Sequence, residues 1–352
     1  MAHHLRNKKI LITGGAGFIG SNLVEYFLEA DNQVVCLDNL STGYIENVQE
    51  FSNNPNFQMR EGDIRDLDTC KAAVEDCDYV FHHAALGSVP RSIADPVTTN
   101  AVNIDGFLNM LTAARDVGVK RFIYAASSST YGNSKDIPKI EERVGRPLSP
   151  YAITKAVNEH FAQVYSELYG IETIGLRYFN IFGKRQDPNG EYAAVIPIWV
   201  KALIGHQSPI INGDGSFSRD FTYIDNVLQA NDLAAATSKN QLLNNLDKYY
   251  SNLEKKEGIL AETPNVVMEI FNVAFGGNTT LFDLYSALKS NLSEYDADIA
   301  KIEVSFGSSR AGDVPHSLAS VEKARSVLGY SPKFSAQQGF QAACAWYYEN
   351  MK

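Results

Sequence analysis

Short apolar runs alternate along the first half of the chain with longer stretches in which apolar residues recur every three or four positions. The apolar runs predict strands at residues 9–13, 33–37, 57–59, 79–82, 122–126 and 173–177. The longer stretches predict helices at 18–30, 67–75, 103–117 and 150–169. In the first helix Leu23, Phe27 and Leu28 fall on one face. Gly118 and Gly170 follow the last two helices, where a left-handed C′ residue is wanted. Such alternation predicts an α/β fold, a doubly wound parallel sheet with helices on both faces. After Asn180 the pattern loosens. Residues 187–190 (Asp-Pro-Asn-Gly) and 212–215 (Asn-Gly-Asp-Gly) read as turns. Residues 241–264, polar and rich in Asn and Lys, read as a surface excursion, and 269–274 as a late strand returning to the sheet. The expected division is a first domain over 1–180, with returning segments near 215–240 and 265–277. The remainder, 181–352, forms a smaller interleaved α/β lobe.

Composition narrows the function classes. A formal charge of −10 argues against nucleic acid as the partner. An anionic substrate would then need a local cationic pocket. Cys36, Cys70, Cys77 and Cys344 show no paired metal spacing, and four in so long a chain argue against a disulfide framework. No metal is expected. The first apolar run is short and ends in glycines, unlike a secretory leader. The run at 195–204 is too short to span a membrane and contains Pro197 and Lys201. A cytoplasmic setting without membrane contact is the expectation.

The first strand ends in Thr13-Gly14-Gly15-Ala16-Gly17-Phe18-Ile19-Gly20. Gly14, Gly17 and Gly20 form G-x-x-G-x-x-G between a strand and a helix. The first allows a tight turn, the second admits a pyrophosphate, and the third lets helix and strand pack closely. The helix N-terminus offers free N–H groups to the phosphates. Asp38 ends the second strand, where a carboxylate bonds a ribose 2′-hydroxyl and repels a 2′-phosphate. No arginine stands beside it in Leu37-Asp38-Asn39-Leu40, which favours NAD over NADP. Asp63 and Ile64 follow the third strand, at the adenine position. Ala84 and Ala85 follow the fourth, where side chains beside a cofactor must be small. The fold expected is therefore of Rossmann type.

Tyr-x-x-x-Lys occurs at Tyr131/Lys135, Tyr151/Lys155 and Tyr348/Lys352. The first spans Gly132 and Asn133, poor helix formers, and the last ends on the final residue. Only Tyr151 opens a helix, with Ser149 as N-cap and Pro150 at N1. There Tyr151 and Lys155 share a face. A free phenol titrates near 10, and lowering it by about three units takes about 4 kcal/mol. A nearby ammonium and a positive nicotinamide supply that. Ser127 can hold or relay the substrate proton. Ser127, Tyr151 and Lys155 are the candidate catalytic residues.

Together with Arg177-Tyr178-Phe179-Asn180, Arg219-Asp220-Phe221 and Arg310-Ala311-Gly312-Asp313, these motifs resemble the extended short-chain dehydrogenase/reductase family, over nearly the whole chain and specifically its nucleotide-sugar 4-epimerases. The resemblance implies an isomerase with tightly held NAD, and a homodimer formed through the helices near 103–117 and 150–169. It implies cofactor contacts from Phe18, Ile19, Asn39, Ser41, Thr42, Gly43, Asn103 and Tyr178, beyond those above. It implies substrate contacts from Gly87, Ser88, Ser127, Ser128, Asn180, Ala194, Val195 and Asn212. Arg219 and Arg310 would neutralise a UDP-sugar's pyrophosphate, and Asp313 would hold its ribose. Two departures refine this. The Thr-Asp-Glu set of 4,6-dehydratases is replaced by Ser127-Ser128-Ser129, which argues against dehydration. Ser317 stands where many galactose-type epimerases carry a tyrosine, leaving room at sugar C2. The expectation is interconversion of UDP-GlcNAc and UDP-GalNAc through a transient 4-keto sugar. Alternatives are another UDP-sugar, including UDP-Glc/UDP-Gal or an N-acetylated uronic acid, and a net dehydrogenase or reductase. A non-catalytic NAD-sensing scaffold is a further one.

Overall fold

The computed structural model describes residues 3–190, 193–259, 265–308 and 316–351. Six strands alternate with helices through the first half: β1 Lys9–Thr13, β2 Gln33–Asp38, β3 Phe57–Glu61, β4 Tyr79–His82, β5 Arg121–Ser127 and β6 Glu172–Tyr178. Between them run α1 Phe18–Glu29, α2 Leu67–Val74, α3 Val89–Ala94, α4 Pro96–Asn100, α5 Gly106–Asp116 and α6 Pro150–Tyr169. The second half adds the short strands β7 Ile181–Phe182, β8 Ile210–Asn212, β9 Ser218–Arg219 and β10 Thr222–Tyr223. After them come β11 Met268–Val273, β12 Thr279–Thr280, β13 Ser305–Gly307 and β14 His316–Ser317. Its helices are α7 Val195–Ile204, α8 Ile224–Ala236, α9 Lys239–Glu257, α10 Leu281–Ser293, α11 Glu322–Leu328 and α12 Ala336–Asn350.

The central sheet has seven strands in the order β11-β6-β5-β4-β1-β2-β3, all paired in parallel. β1 is buried from Ile10 to Thr13 and β4 along its whole length, as strands covered on both faces must be. One apolar cluster lies beneath α2 and α5, with Leu11, Val80, Phe107 and Phe122. A larger one, with Ile10, Phe27, Phe81, Leu176 and Phe271, runs on into the second half. The chain order reverses at β1/β4, where a ligand crevice is expected in a doubly wound sheet.

Helix ends follow local chemistry. Ser149 accepts from the Ala152 N–H, Pro150 sits in the first turn, and Gly170 closes α6 at φ 74°. Gly118, at φ 73°, follows α5. Two expectations need correction. The helix predicted over 103–117 is entered through a π-helical turn, Ala101–Asp105, before α5 begins. The polar excursion read at 241–264 is largely helix: α9, of 19 residues, starts at Lys239 and runs to Glu257. Leu242, Leu246, Tyr250 and Leu253, one apolar stripe in a polar sequence, are buried and hold it down.

Candidate active site

The glycine turn is built against the end of β4. Gly14 has φ 67°, and a Cβ on it would stand 2.7 Å from the Ala84 nitrogen. Gly17 opens α1 in extended conformation, and a Cβ there meets only the Gly14 oxygen at 3.2 Å. Backbone packing thus demands glycine at the first position, while the second leaves open space for a ligand. The Asp38 carboxylate ties β2 to this turn, accepting from Ala16 N at 2.9 Å and Leu40 N at 2.8 Å. Burial raises its carboxyl above the usual range, and those backbone N–H groups draw it back. Asp63 is held low, to about 2, by the forked Arg65 guanidinium, and Asn39 also donates to it.

These residues surround a cleft of about 380 Å³. Gly14, Gly17, Phe18, Ile19, Gly20, Asp38, Asn39, Ser41, Thr42, Asp63, Ile64, Ala84 and Ala85 line it. So do Gly87, Ser88 and Ala194, from the substrate set. Gly43 packs closely against the loop, where a Cβ added to it would stand 2.8 Å from the Ala16 carbonyl carbon. The cradle, the carboxylate at the end of β2 and the small residues after β4 fit an NAD molecule. His83, Leu86, Arg91, Gln186 and Asp187 also line the cleft, and the sequence reading missed all five. A position just after a β-strand, next to Ala84, was the available signal for His83. Gln186 and Asp187 lie in a connection whose course only the folded chain reveals.

Asn103 and Tyr178 stand behind this wall rather than in it. Asn103 is buried, accepts from Leu86 N at 2.8 Å and donates to Leu86 O and Thr154 Oγ1, both at 3.2 Å. It therefore fixes the turn after β4. The Tyr178 hydroxyl takes a hydrogen from Asn231 Nδ2 at 2.9 Å and is 2.8 Å from His83 Nε2. Burial drops His83 to about 3, so this cleft residue is a neutral imidazole.

Ser127 ends β5, and its Oγ accepts from Ser129 N at 3.2 Å and Ser129 Oγ at 2.9 Å. Ser128 follows in the same single turn of 3₁₀ helix. Tyr151 lies in the first turn of α6, within the influence of the Ser127 hydroxyl. Burial raises the Tyr151 phenol above its ordinary value, and the Ser127 hydroxyl opposes that rise. The ammonium effect foreseen from sequence is not among the influences on this phenol. Lys155 instead donates from Nζ to the Ala125 carbonyl at 2.7 Å, and burial lowers it to about 8. Its charge is felt by both His82 and His83, which places it behind the cleft wall. The other two Tyr-x-x-x-Lys pairs do different work. The Tyr131 hydroxyl donates to Asn272 Oδ1 at 2.7 Å in the core, and Tyr348 donates to the Tyr295 carbonyl. Lys352 lies outside the described residues.

The small sheet β12-β9-β14 joins the distant substrate residues. In its register Ser317 is the direct partner of Arg219. Asp220, fully buried, holds this corner by accepting from Gly276, Gly277 and Ala319 N–H groups at 3.2–3.3 Å. Asn180, at φ 36°, donates to the Asp220 carbonyl at 3.2 Å. Val195 begins α7, and Asn212 ends β8 beside Gly307. Arg310 and Asp313 lie outside the described residues. Among the described residues no group of three or more His, Cys, Asp or Glu side chains is placed to hold a metal ion. None of their helices is long and apolar enough to cross a membrane.

The profile of the NAD dependent epimerase/dehydratase family matches residues 10–245. UDP-glucose 4-epimerase of Mycolicibacterium smegmatis is 32% identical over 333 residues, 94% of this chain and 96% of that protein. The structure of UDP-N-acetylglucosamine 4-epimerase from Methanobrevibacter ruminantium M1, in complex with UDP-N-acetylmuramic acid, superposes with a TM-score of 0.84. It is 34% identical and the match covers 99% of this chain and 100% of that one. UDP-glucuronic acid 4-epimerase from Bacillus cereus, in complex with UDP-glucuronic acid and NAD, is 28% identical at a TM-score of 0.80, covering 98% and 100%.

Proposed function

The chain belongs to the NAD dependent epimerase/dehydratase family, and from that premise we propose that it interconverts UDP-GlcNAc and UDP-GalNAc as a UDP-sugar 4-epimerase. Relatives acting on three different UDP-sugars agree on the position of the chemistry, C4, and differ in the sugar. The observation that carries the choice of sugar is the pairing of Ser317 with Arg219. It supports a small side chain beside a cation suited to the substrate's pyrophosphate. Arg310 and Asp313 complete the proposed grip on UDP.

NAD, when bound, supplies the acceptor for the hydrogen on sugar C4. Tyr151 takes the proton from the 4-hydroxyl, and the Ser127 hydroxyl, which acts on the same phenol, helps to orient that group. Lys155, whose Nζ is engaged by the Ala125 carbonyl while the phenol is neutral, is proposed to supply positive charge once that phenol ionises. Gly87, Ser88, Ala194 and Ser317 present little bulk to the sugar, which can then turn over between loss and return of its hydrogen. Gly14, Gly17, Gly20, Asp38 and Asp63 hold the dinucleotide, so it need not leave between turnovers.

The division proposed is a dinucleotide-binding part over 1–180 with the two returning segments, and a UDP-sugar lobe over most of 181–352. A homodimer belongs to the same reading. Ile153, Val164 and Leu168 on α6 and Val117 after α5 are exposed and apolar, which supports a partner copy there. The four cysteines are buried free thiols, in keeping with a reduced, cytoplasmic setting.

The test is purified protein incubated with UDP-GlcNAc and no added NAD. Appearance of UDP-GalNAc, at an equilibrium reached equally from either sugar, is expected. Turnover of UDP-glucose or an N-acetylated uronic acid alone would overturn the choice of sugar. Release of reduced coenzyme in step with product would overturn epimerisation.

A further inference from the structure

Tyr151, Lys155 and Glu159 lie four residues apart on α6 and share one face. Lys155 is buried, 3% exposed, and its Nζ bond goes to a neutral acceptor, the Ala125 carbonyl. An ammonium so placed has lost most of its hydration and needs a compensating charge. The titratable groups around it are few. His82 and His83 at the end of β4 are kept neutral by burial, and Tyr151 is kept a neutral phenol. Glu159 is the anion that acts on Lys155, raising it against the effect of burial.

Glu159 is itself clamped. Arg177 on β6 forks onto it, with Nε to Oε1 at 2.9 Å and Nη2 to Oε2 at 2.8 Å. Both side chains are at least nine-tenths buried. Arg177 Nη1 donates to the Glu141 carbonyl at 3.1 Å, and its guanidinium lies 4.9 Å from the Tyr131 ring centre. Tyr131 is anchored in turn on Asn272. The pair forms part of the wall of a second cavity, about 450 Å³, together with His160 and Gln163 from α6 and Glu269 from β11. A carboxylate forked by arginine has one available orientation, so a charge one turn beyond Lys155 is held still.

We propose that Glu159, clamped by Arg177, is a positioning residue for Lys155: the fixed counter-charge one helical turn away that keeps the buried ammonium charged beside the site. This rests on the acid/base roles given above to Tyr151 and Lys155, but its test does not need epimerisation. Without Glu159, burial acts on Lys155 unopposed and its titration moves down toward neutrality, by about one pH unit for loss of a close counter-charge.

The experiment is NMR titration of protein carrying ¹³C at the lysine ε-carbons, with the Lys155 signal identified by its absence in Lys155→Met. In the unaltered protein the midpoint is expected near 8. Glu159→Gln should lower it by about one unit. The alkaline limb of the kcat profile should move with it, while KM for the UDP-sugar holds. Glu159→Asp, which keeps the charge, should restore most of the shift. Because Glu159→Gln leaves Arg177 uncompensated, the double variant Glu159→Gln/Arg177→Met removes both charges and guards against simple misfolding. Its midpoint should also fall. An unmoved midpoint in either folded variant overturns the proposal and leaves Glu159–Arg177 a structural clasp. A shifted midpoint in a protein that epimerises no UDP-sugar upholds it and overturns only the proposed function.

Discussion

Replacing Gly20 by alanine would place a methyl group on the Gly14 carbonyl oxygen, 2.7 Å from the Gly14 carbonyl carbon and 2.8 Å from the Gly15 Cα. These are backbone atoms, so no rotamer change relieves the contact. Overpacking of this kind costs about 1–3 kcal/mol, and contacts this short belong at the upper end. Alanine returns about 1 kcal/mol through helix propensity, since Gly20 lies within α1. The net loss is then about 2 kcal/mol, or a few degrees in melting temperature for a chain this long. Gly17→Ala is the contrasting variant. Its backbone is extended and its nearest neighbour is 3.2 Å away, so stability should change by less than about 1 kcal/mol. Its methyl group nevertheless stands in the cleft, where the pyrophosphate is proposed to lie. Thermal unfolding of protein stripped of nucleotide, and the nucleotide released by denaturation from protein as purified, read the two effects separately. Gly20→Ala should unfold early, and Gly17→Ala should fold normally with little bound dinucleotide. Normal unfolding of Gly20→Ala, or a full complement of dinucleotide in Gly17→Ala, would refute the division of labour within the loop.

Tyr151→Phe should lower turnover by about 10²–10⁴ with bound dinucleotide unchanged, since it removes only the proton carrier; full activity would end the acid/base assignment. Ser317→Tyr should depress conversion of UDP-GlcNAc far more than that of UDP-glucose, and equal losses in a competition assay would count against the C2 argument. Burial holds the Glu141 carboxyl up at about 7, against an ordinary 4.5, with Lys323 opposing the rise and Glu142 adding to it. The native state therefore binds this proton more tightly than the unfolded chain does. The stability that gives is complete below about pH 4.5 and is lost as pH rises to 7, about 3 kcal/mol in all. Urea unfolding of Glu141→Gln should lack that decline and exceed the unaltered protein in stability at pH 8; parallel pH curves would show that Glu141 is not the group responsible.

The strand-helix alternation and the glycine turn were legible in the sequence because each rests on local chemistry. Four β-branched or apolar residues before Gly14 make a strand, and Ser149-Pro150 starts a helix, whatever the rest of the chain does. The choice among three Tyr-x-x-x-Lys pairs was legible for the same reason: Gly132 breaks the first, and Tyr131 proves to be a core tyrosine. α9 was misread although its signal was present, because Asn and Lys dominate its composition while four apolar residues alone hold it down. The pairing of Ser317 with Arg219 was beyond reach, since two-residue strands have no periodicity to read and exist only where the folded chain brings them together. Likewise the neutrality of His83 and the raised phenol of Tyr151 are consequences of burial, which no spacing announces.

The sheet is finished out of turn, with β11 closing the edge beside β6 only after α7, α8 and α9 have been synthesised. A growing polypeptide on the ribosome must therefore wait with one side of β6 bare, its N–H and C=O groups free to pair with any passing strand. Premature termination anywhere between β6 and β11 would release a sticky template for aggregation, and molecular chaperones would be needed most during that interval of translation.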